Sequence, residues 1–319
     1  MLLALPLVIL GAALAARAEI PHDHGNNLAR HHRLARSPVP TPFASPTKLR
    51  KRNSCKAPTT SSSKTTSSQK TTTSTKKTTT TTAKPTPTAA VENGIITIEV
   101  SRCGSNGATI HTESTTSTTG PNGSEEWINC GITTSGGWDP PYLTVDDIVT
   151  MTLYDALKDD NSPFQVCSKY IDYFDSAASK YGLKAIMLAS FALQESSCNP
   201  NSIGGGNTQG LMQISTDKCV GAPGGNCLDP EFNIDAGAKY FASVLSSNGG
   251  NLLLSVGNYN GWYQGLTVSK AEAAKYGSCC LCQQNLDYVF QWINGWVLNQ
   301  NAYEMGLGKY NNLDACGDD

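Results

Sequence analysis

Residues 193–215 read LQESSCNPNSIGGGNTQGLMQIS. Just before this stretch, residues 184–193 are nearly continuous in apolar side chains, among them Ile186, Met187, Leu188, Phe191 and Leu193. That pattern predicts a helix buried on most sides. The run stops at Gln194-Glu195, a polar glycine-rich loop follows, and the compact element Gly210-Leu211-Met212-Gln213-Ile214 ends it. A carboxylate at the C-terminal end of such a helix faces the negative pole of the helix dipole, and burial penalises its charged form. Both effects favour the protonated acid that a general acid must be. Glu195 is therefore the candidate catalytic residue; the plainer reading makes it the exposed end of a core helix.

Working outward, two later stretches extend the pattern. Asn233-Ile234-Asp235-Ala236-Gly237-Ala238-Lys239-Tyr240-Phe241 has the form N-x-x-x-G-x-x-Y, and Val256-Gly257-Asn258-Tyr259-Asn260-Gly261 is close to A-Y-N-A-G. Fourteen residues separate Glu195 from Gly210. The three elements, in this order, resemble the soluble lytic transglycosylases, which belong with the goose-type lysozymes to family 23 of the glycoside hydrolases. The resemblance covers roughly residues 162–296. It implies a mainly α, lysozyme-like domain that cleaves β-1,4 linkages in N-acetylated amino-sugar polymers, peptidoglycan being the usual substrate, without metal or cofactor.

Glycosidic cleavage needs a proton on the leaving oxygen and stabilisation of the charge that develops at the anomeric carbon, commonly from a second carboxylate. Residues 196–214 contain no Asp or Glu. The goose-type branch carries an Asp after the G-L-M-Q-hydrophobic element, whereas Ser215 stands here, and Asp217 reads as a solvated loop residue. The pattern is thus closer to the lytic transglycosylases, whose substrate acetamido group is thought to assist while one Glu serves as acid and then base.

By motif position the resemblance assigns Gln213, Tyr259 and Asn260 to substrate contact or to orienting Glu195. Ser196, which at the helix terminus reads more as a hydrogen bonder there than as a direct contact, and Tyr288, on a C-terminal helix that faces the cleft, complete the candidate substrate-binding set. Gln213 has a loop-stabilising amide as its alternative, and Tyr259 and Asn260 a buried structural pair. Trp262 is a candidate sugar platform, while Trp292 and Trp296, at helical spacing, read as core. The family loop usually carries Ser-x-x-Gly-Ala; here Ser202-Ile203-Gly204-Gly205-Gly206-Asn207-Thr208 replaces it, and Cys198 could tether it through a disulfide.

The 319 residues divide unevenly. Residues 1–18 form an apolar stretch ending Ala16-Arg17-Ala18, a signal peptide too short to span a bilayer comfortably. Residues 19–52 read as a propeptide ending in the basic cluster Arg50-Lys51-Arg52, and residues 53–90 as a disordered Ser/Thr-rich stalk suited to O-glycosylation. These features together suggest a secreted, eukaryotic and fungal-type protein, soluble after signal removal and monomeric. Residues 1–90 carry a balance of +12 and residues 91–319 one of −14. The folded part is therefore acidic, with no basic patch of the nucleic-acid-binding kind, and it would be repelled by anionic wall polymers.

Eleven cysteines in a secreted chain read as disulfides. Ten lie in the globular part, and Cys279, Cys280 and Cys282 are expected to seek distant partners. Residues 91–141 form a short β or irregular extension, with a strand at 95–100, a staple involving Cys103 or Cys130, and Trp127 and Trp138 as packing anchors or sugar contacts. Its sequon, Asn122-Gly123-Ser124, reads as an exposed loop.

Helices are expected over residues 145–158 (capped by Thr144), from Pro163 to Gly182, from Pro230 to Leu245 and around residues 286–297, within a catalytic domain spanning 142–319. No strand–helix alternation appears, so a parallel sheet is not expected. Two other functions stay open: a chitin-oligomer hydrolase of the same fold, and a non-catalytic glycan-binding wall protein.

Overall fold

The computed structural model describes residues 102–109, 112–204 and 207–316. The expected signal peptide, propeptide, stalk and strand at 95–100 lie outside the described residues. Within them the structure is helical and forms no strand; the isolated bridges Ile203–Gln209 and Gln209–Ile214 pin the loop after the Glu195 helix.

Two helices frame the first half of the domain. A 3-10 segment, Pro163–Tyr170, is capped by the Ser162 hydroxyl and leads into α3 (Ile171–Tyr181); the one-turn helices α1 (Glu125–Ile128) and α2 (Leu153–Ala156) precede it. Helix α3 ends at Gly182, whose φ of 67° closes a left-handed cap that only glycine adopts without strain. The expected helix over 145–158 is shorter than the sequence suggests. The Asp147 carboxylate accepts from both the N–H and the hydroxyl of Thr144 (2.6 and 2.7 Å), a local turn that competes with helix. The Met151 N–H is drawn to the Val297 carbonyl, so helix begins only after Thr152, which caps α2.

Helix α4 (Ala185–Ser196) is buried at every position but its first, in keeping with its all-round apolarity. It ends in two consecutive left-handed residues, Ser197 and Cys198 (φ 52° and 57°), an unfavourable pair for non-glycine side chains. The Cys167–Cys198 disulfide holds that end against the 3-10 segment.

Helix α5 (Pro230–Ser247) starts on Asp229, which accepts from the Phe232 N–H, with Pro230 in the first turn. Helix α6 (Leu252–Tyr259) starts on Asn251 in the same manner. Two glycines mark close approaches. A Cβ on Gly237 would lie 2.8 Å from Cε of Met212, and one on Gly257 would enter the Trp138 ring. Helix α7 (Val268–Ala271) is a single turn, and α8 (Tyr288–Asn294) is buried along its whole length.

The described part of the extension is irregular apart from α1, is stapled by Cys103–Cys130, and shares one core with the helices. Trp127 and Trp138 are buried and present no face to a sugar. Trp138 donates to the Ile128 carbonyl and meets Trp262 edge-on at 4.9 Å. Trp262 is likewise buried, donating to the Asn285 carbonyl; the expectation of a sugar platform fails because its indole is a core strut.

The sequon is not an exposed loop either. The Asn122 amide is fully buried, donating to the carbonyls of Val149 and Ile293 and accepting from the Val149 N–H. Cysteine pairing also departs from expectation at one place. Cys280 does reach a distant partner, Cys316, but Cys279 pairs with Cys282, because the 3-10 turn between them brings their Cα atoms to 5.3 Å.

Candidate active site

Glu195 sits in the last turn of α4 with 2% of its surface exposed. Tyr288, at the start of α8, donates its phenolic hydrogen to Oε1 of Glu195 at 2.5 Å. The neighbouring Gln194 fixes the spacing of the two helices by donating to the Tyr288 carbonyl (3.1 Å), and Tyr303 donates to the Gln194 carbonyl (3.2 Å). The carboxyl group is thus held by a rigid frame made from three parts of the chain.

The Gly210–Ile214 turn is built against this frame. Ser196 donates from its hydroxyl to the Leu211 carbonyl (2.7 Å) and the Ala192 carbonyl (3.0 Å), the helix-terminus role read from its position. Tyr259 donates to the Met212 carbonyl (2.9 Å), and its ring stacks on Phe191 of α4 at 4.1 Å. Asn233 is the hub: its Oδ1 accepts from the Met212 N–H, and its Nδ2 donates to the carbonyls of Gln209 and Cys227. Such a buried, fully paired amide fixes a turn more tightly than packing alone.

Gln213 does not present a free amide. Its Nε2 donates to the Ser202 and Gly210 carbonyls and its Oε1 accepts from the Thr208 hydroxyl, so both ends stabilise the loop. Asn260 is the opposite case. It is buried next to Tyr259, yet among the described residues neither Oδ1 nor Nδ2 has a hydrogen-bond partner. Buried amides are normally satisfied, and here both unmatched atoms are enclosed rather than open to a cleft.

The phenols around Glu195 stay protonated. Burial, then the charge of Glu195, pushes the hydroxyls of Tyr259 and Tyr288 well above their ordinary range; the same causes raise Tyr303. Each therefore remains a neutral donor at any working pH. Glu195 is the acid whose charge these three feel, whereas the charge of Asp217 acts on Tyr240. Asp217 itself is exposed and paired with Lys218 at 3.0 Å, the solvated loop residue that was expected. Among the described residues no group of three or more His, Cys, Asp or Glu is placed to hold a metal ion.

Glu195, Ser196, Tyr259 and Tyr288 thus converge, with Gln213 in the adjoining loop. Tyr303 was not legible, since it belongs to no motif. Asn233 stood inside a quoted motif, but its hub role becomes visible only once α5 is placed against the turn.

Residues 172–276 match the Transglycosylase SLT domain family. Similar chains include a membrane-bound lytic murein transglycosylase F 1 from Alkalilimnicola ehrlichii, 32% identical over 77 residues, which span 24% of this chain and 16% of that one. A membrane-bound lytic murein transglycosylase C from Serratia proteamaculans is 35% identical over 91 residues, 25% of each chain. The solved 70 kDa soluble lytic transglycosylase of Escherichia coli is 25% identical, with 47% of this chain and 25% of that chain covered and a TM-score of 0.28. The chain spans no more than a quarter of the length of these relatives.

Proposed function

We propose that this chain, whose residues 172–276 match the Transglycosylase SLT domain family, is a secreted lytic transglycosylase that cleaves β-1,4 linkages in peptidoglycan with Glu195 as its single acid and base. The observation that carries this reading is the buried Glu195 carboxyl held by Tyr288 at 2.5 Å. Protonated Glu195 gives its hydrogen to the glycosidic oxygen as the C1–O bond breaks, and the substrate's acetamido oxygen closes on C1. The resulting carboxylate then takes the hydrogen of the 6-hydroxyl, whose oxygen displaces the acetamido oxygen to form the 1,6-anhydro sugar. Donation leaves behind the base that the second step needs.

With one carboxylate, orientation must lower much of the barrier, and a rigid frame supplies it. Tyr259 holds the turn next to Glu195 in place by donating to the Met212 carbonyl. Five disulfides among the described residues favour an oxidising, extracellular setting. The relatives named membrane-bound differ on this point, and no described helix here is long and apolar enough to cross a membrane.

Mass spectrometry of products tests the proposal. Peptidoglycan digests are expected to end in anhydro sugars; reducing ends instead would assign hydrolysis. Cleavage of chitin oligomers with peptidoglycan left intact would move the substrate to chitin-type chains.

A further inference from the structure

A groove of about 630 Å³ lies between the extension and the segment that follows α6, lined by residues 132–135 on one side and by Thr267, Val268, Ser269, Glu272, Lys275 and Tyr276 on the other. The Val268 N–H donates to the Ile132 carbonyl at 3.1 Å, which joins the two sides through backbone. None of the lining residues is among the contacts of Glu195 described above.

Three features define what the groove can take. Its floor includes apolar Ile132 and Val268, and Tyr276 stands at its side with 94% of its surface exposed. A ring that open offers its face for stacking against a flat apolar surface. Exposed hydroxyls of Thr133, Ser135 and Ser269 line the groove and, among the described residues, bond to no protein group. The charged pair of the groove, Lys275 and Glu272, is matched at 3.1 Å and leaves it without net charge. An anion would find no surplus positive charge, and a lipid chain would find too many hydroxyls. A neutral ring with one apolar face and a rim of hydroxyl or amide groups fits all three.

We propose that this groove is a second glycan-binding site, which holds a neutral N-acetylated amino-sugar chain against Tyr276 while another stretch of the same polymer occupies the Glu195 site. The inference deepens the proposed function and rests on its reading of the substrate as an amino-sugar polymer. It also gives the extension a role other than packing.

NMR titration of the full chain carrying Glu195→Gln with the hexamer of N-acetylglucosamine tests it. Amide signals of Thr133, Ser135, Ser269 and Tyr276 are expected to shift and saturate, separately from signals around Glu195. Adding Tyr276→Ala should weaken the groove titration about fivefold or more, with the Glu195 signals keeping their midpoint; the exposure of Tyr276 makes this variant safe for the fold. Groove signals that do not move overturn the proposal, whatever the Glu195 site does. Movement only with a free stem peptide overturns it too. Groove binding without turnover by the wild-type chain upholds the groove and removes the proposed activity instead.

Discussion

The hydroxyl of Tyr288 meets Oε1 of Glu195 at 2.5 Å across 93 positions of sequence, and it does so because Gln194, one residue before Glu195, is bonded to the Tyr288 backbone. The same two residues of α4 therefore fix both the helix that carries the phenol and the carboxyl group it grips. Position and chemistry are set together.

Replacing Tyr288 by Phe keeps the buried ring and removes only the donor. The expected result is a fall in kcat of roughly 10- to 100-fold with little change in KM, and a melting temperature close to wild type. Steady-state kinetics on peptidoglycan fragments with a parallel melt checks this. A larger loss in KM than in kcat would mean that Tyr288 acts on substrate binding instead.

Glu125 gives a pH signature. Burial first, then the charge of Asp287, raises its pKa from 4.5 to about 8, against the opposing pull of Lys309 3.9 Å away. Its folded-state pKa lies above the unfolded one, so the folded chain holds a proton that the unfolded chain releases between those values. The stability this group contributes should therefore be fully present below about pH 4.5 and be lost as pH climbs towards 8. Buried Asp287, whose pKa burial also raises, adds in the same direction. Glu125→Gln should flatten this fall, by on the order of 1–3 kcal/mol at alkaline pH; urea unfolding at pH 5 and pH 8 measures it. Equal slopes in both proteins would refute the assignment.

Asn122 should carry no N-glycan even when the chain is made in a secretory pathway, since its amide is enclosed and paired on both ends. Intact-peptide mass spectrometry reads this directly. Asn122→Ala should destabilise the fold by about 2–4 kcal/mol, because it strands the buried carbonyl of Ile293 and the half-buried carbonyl and N–H of Val149.

The helical class and the Glu195 helix were legible because α4 is apolar on every side and because Gly182 and the Asp229-Pro230 pair are local stop and start signals. What escaped was set by distant pairing. Residues 145–152 have helix-like composition, yet the Thr144–Asp147 turn and the bond from Met151 to Val297 draw the backbone elsewhere. A sequon or an isolated tryptophan says nothing about its burial, so Asn122 and Trp262 were read as exposed when both are struts. At the site, Glu195, Tyr259 and Tyr288 could be named from motif position, but the grip of Tyr288 on Glu195 and the hub at Asn233 need α8 and α5 in place.

The central claim is that one carboxyl group performs both proton transfers, and Glu195→Gln tests it most directly because the amide keeps size and shape but can neither give nor take that proton. Release of soluble fragments from peptidoglycan by the wild-type and variant chains, with melting curves run beside them, is the measurement. The account predicts an unchanged melt and a rate lower by about 1,000-fold or more. A variant that folds normally and keeps a rate within about tenfold of wild type would contradict it.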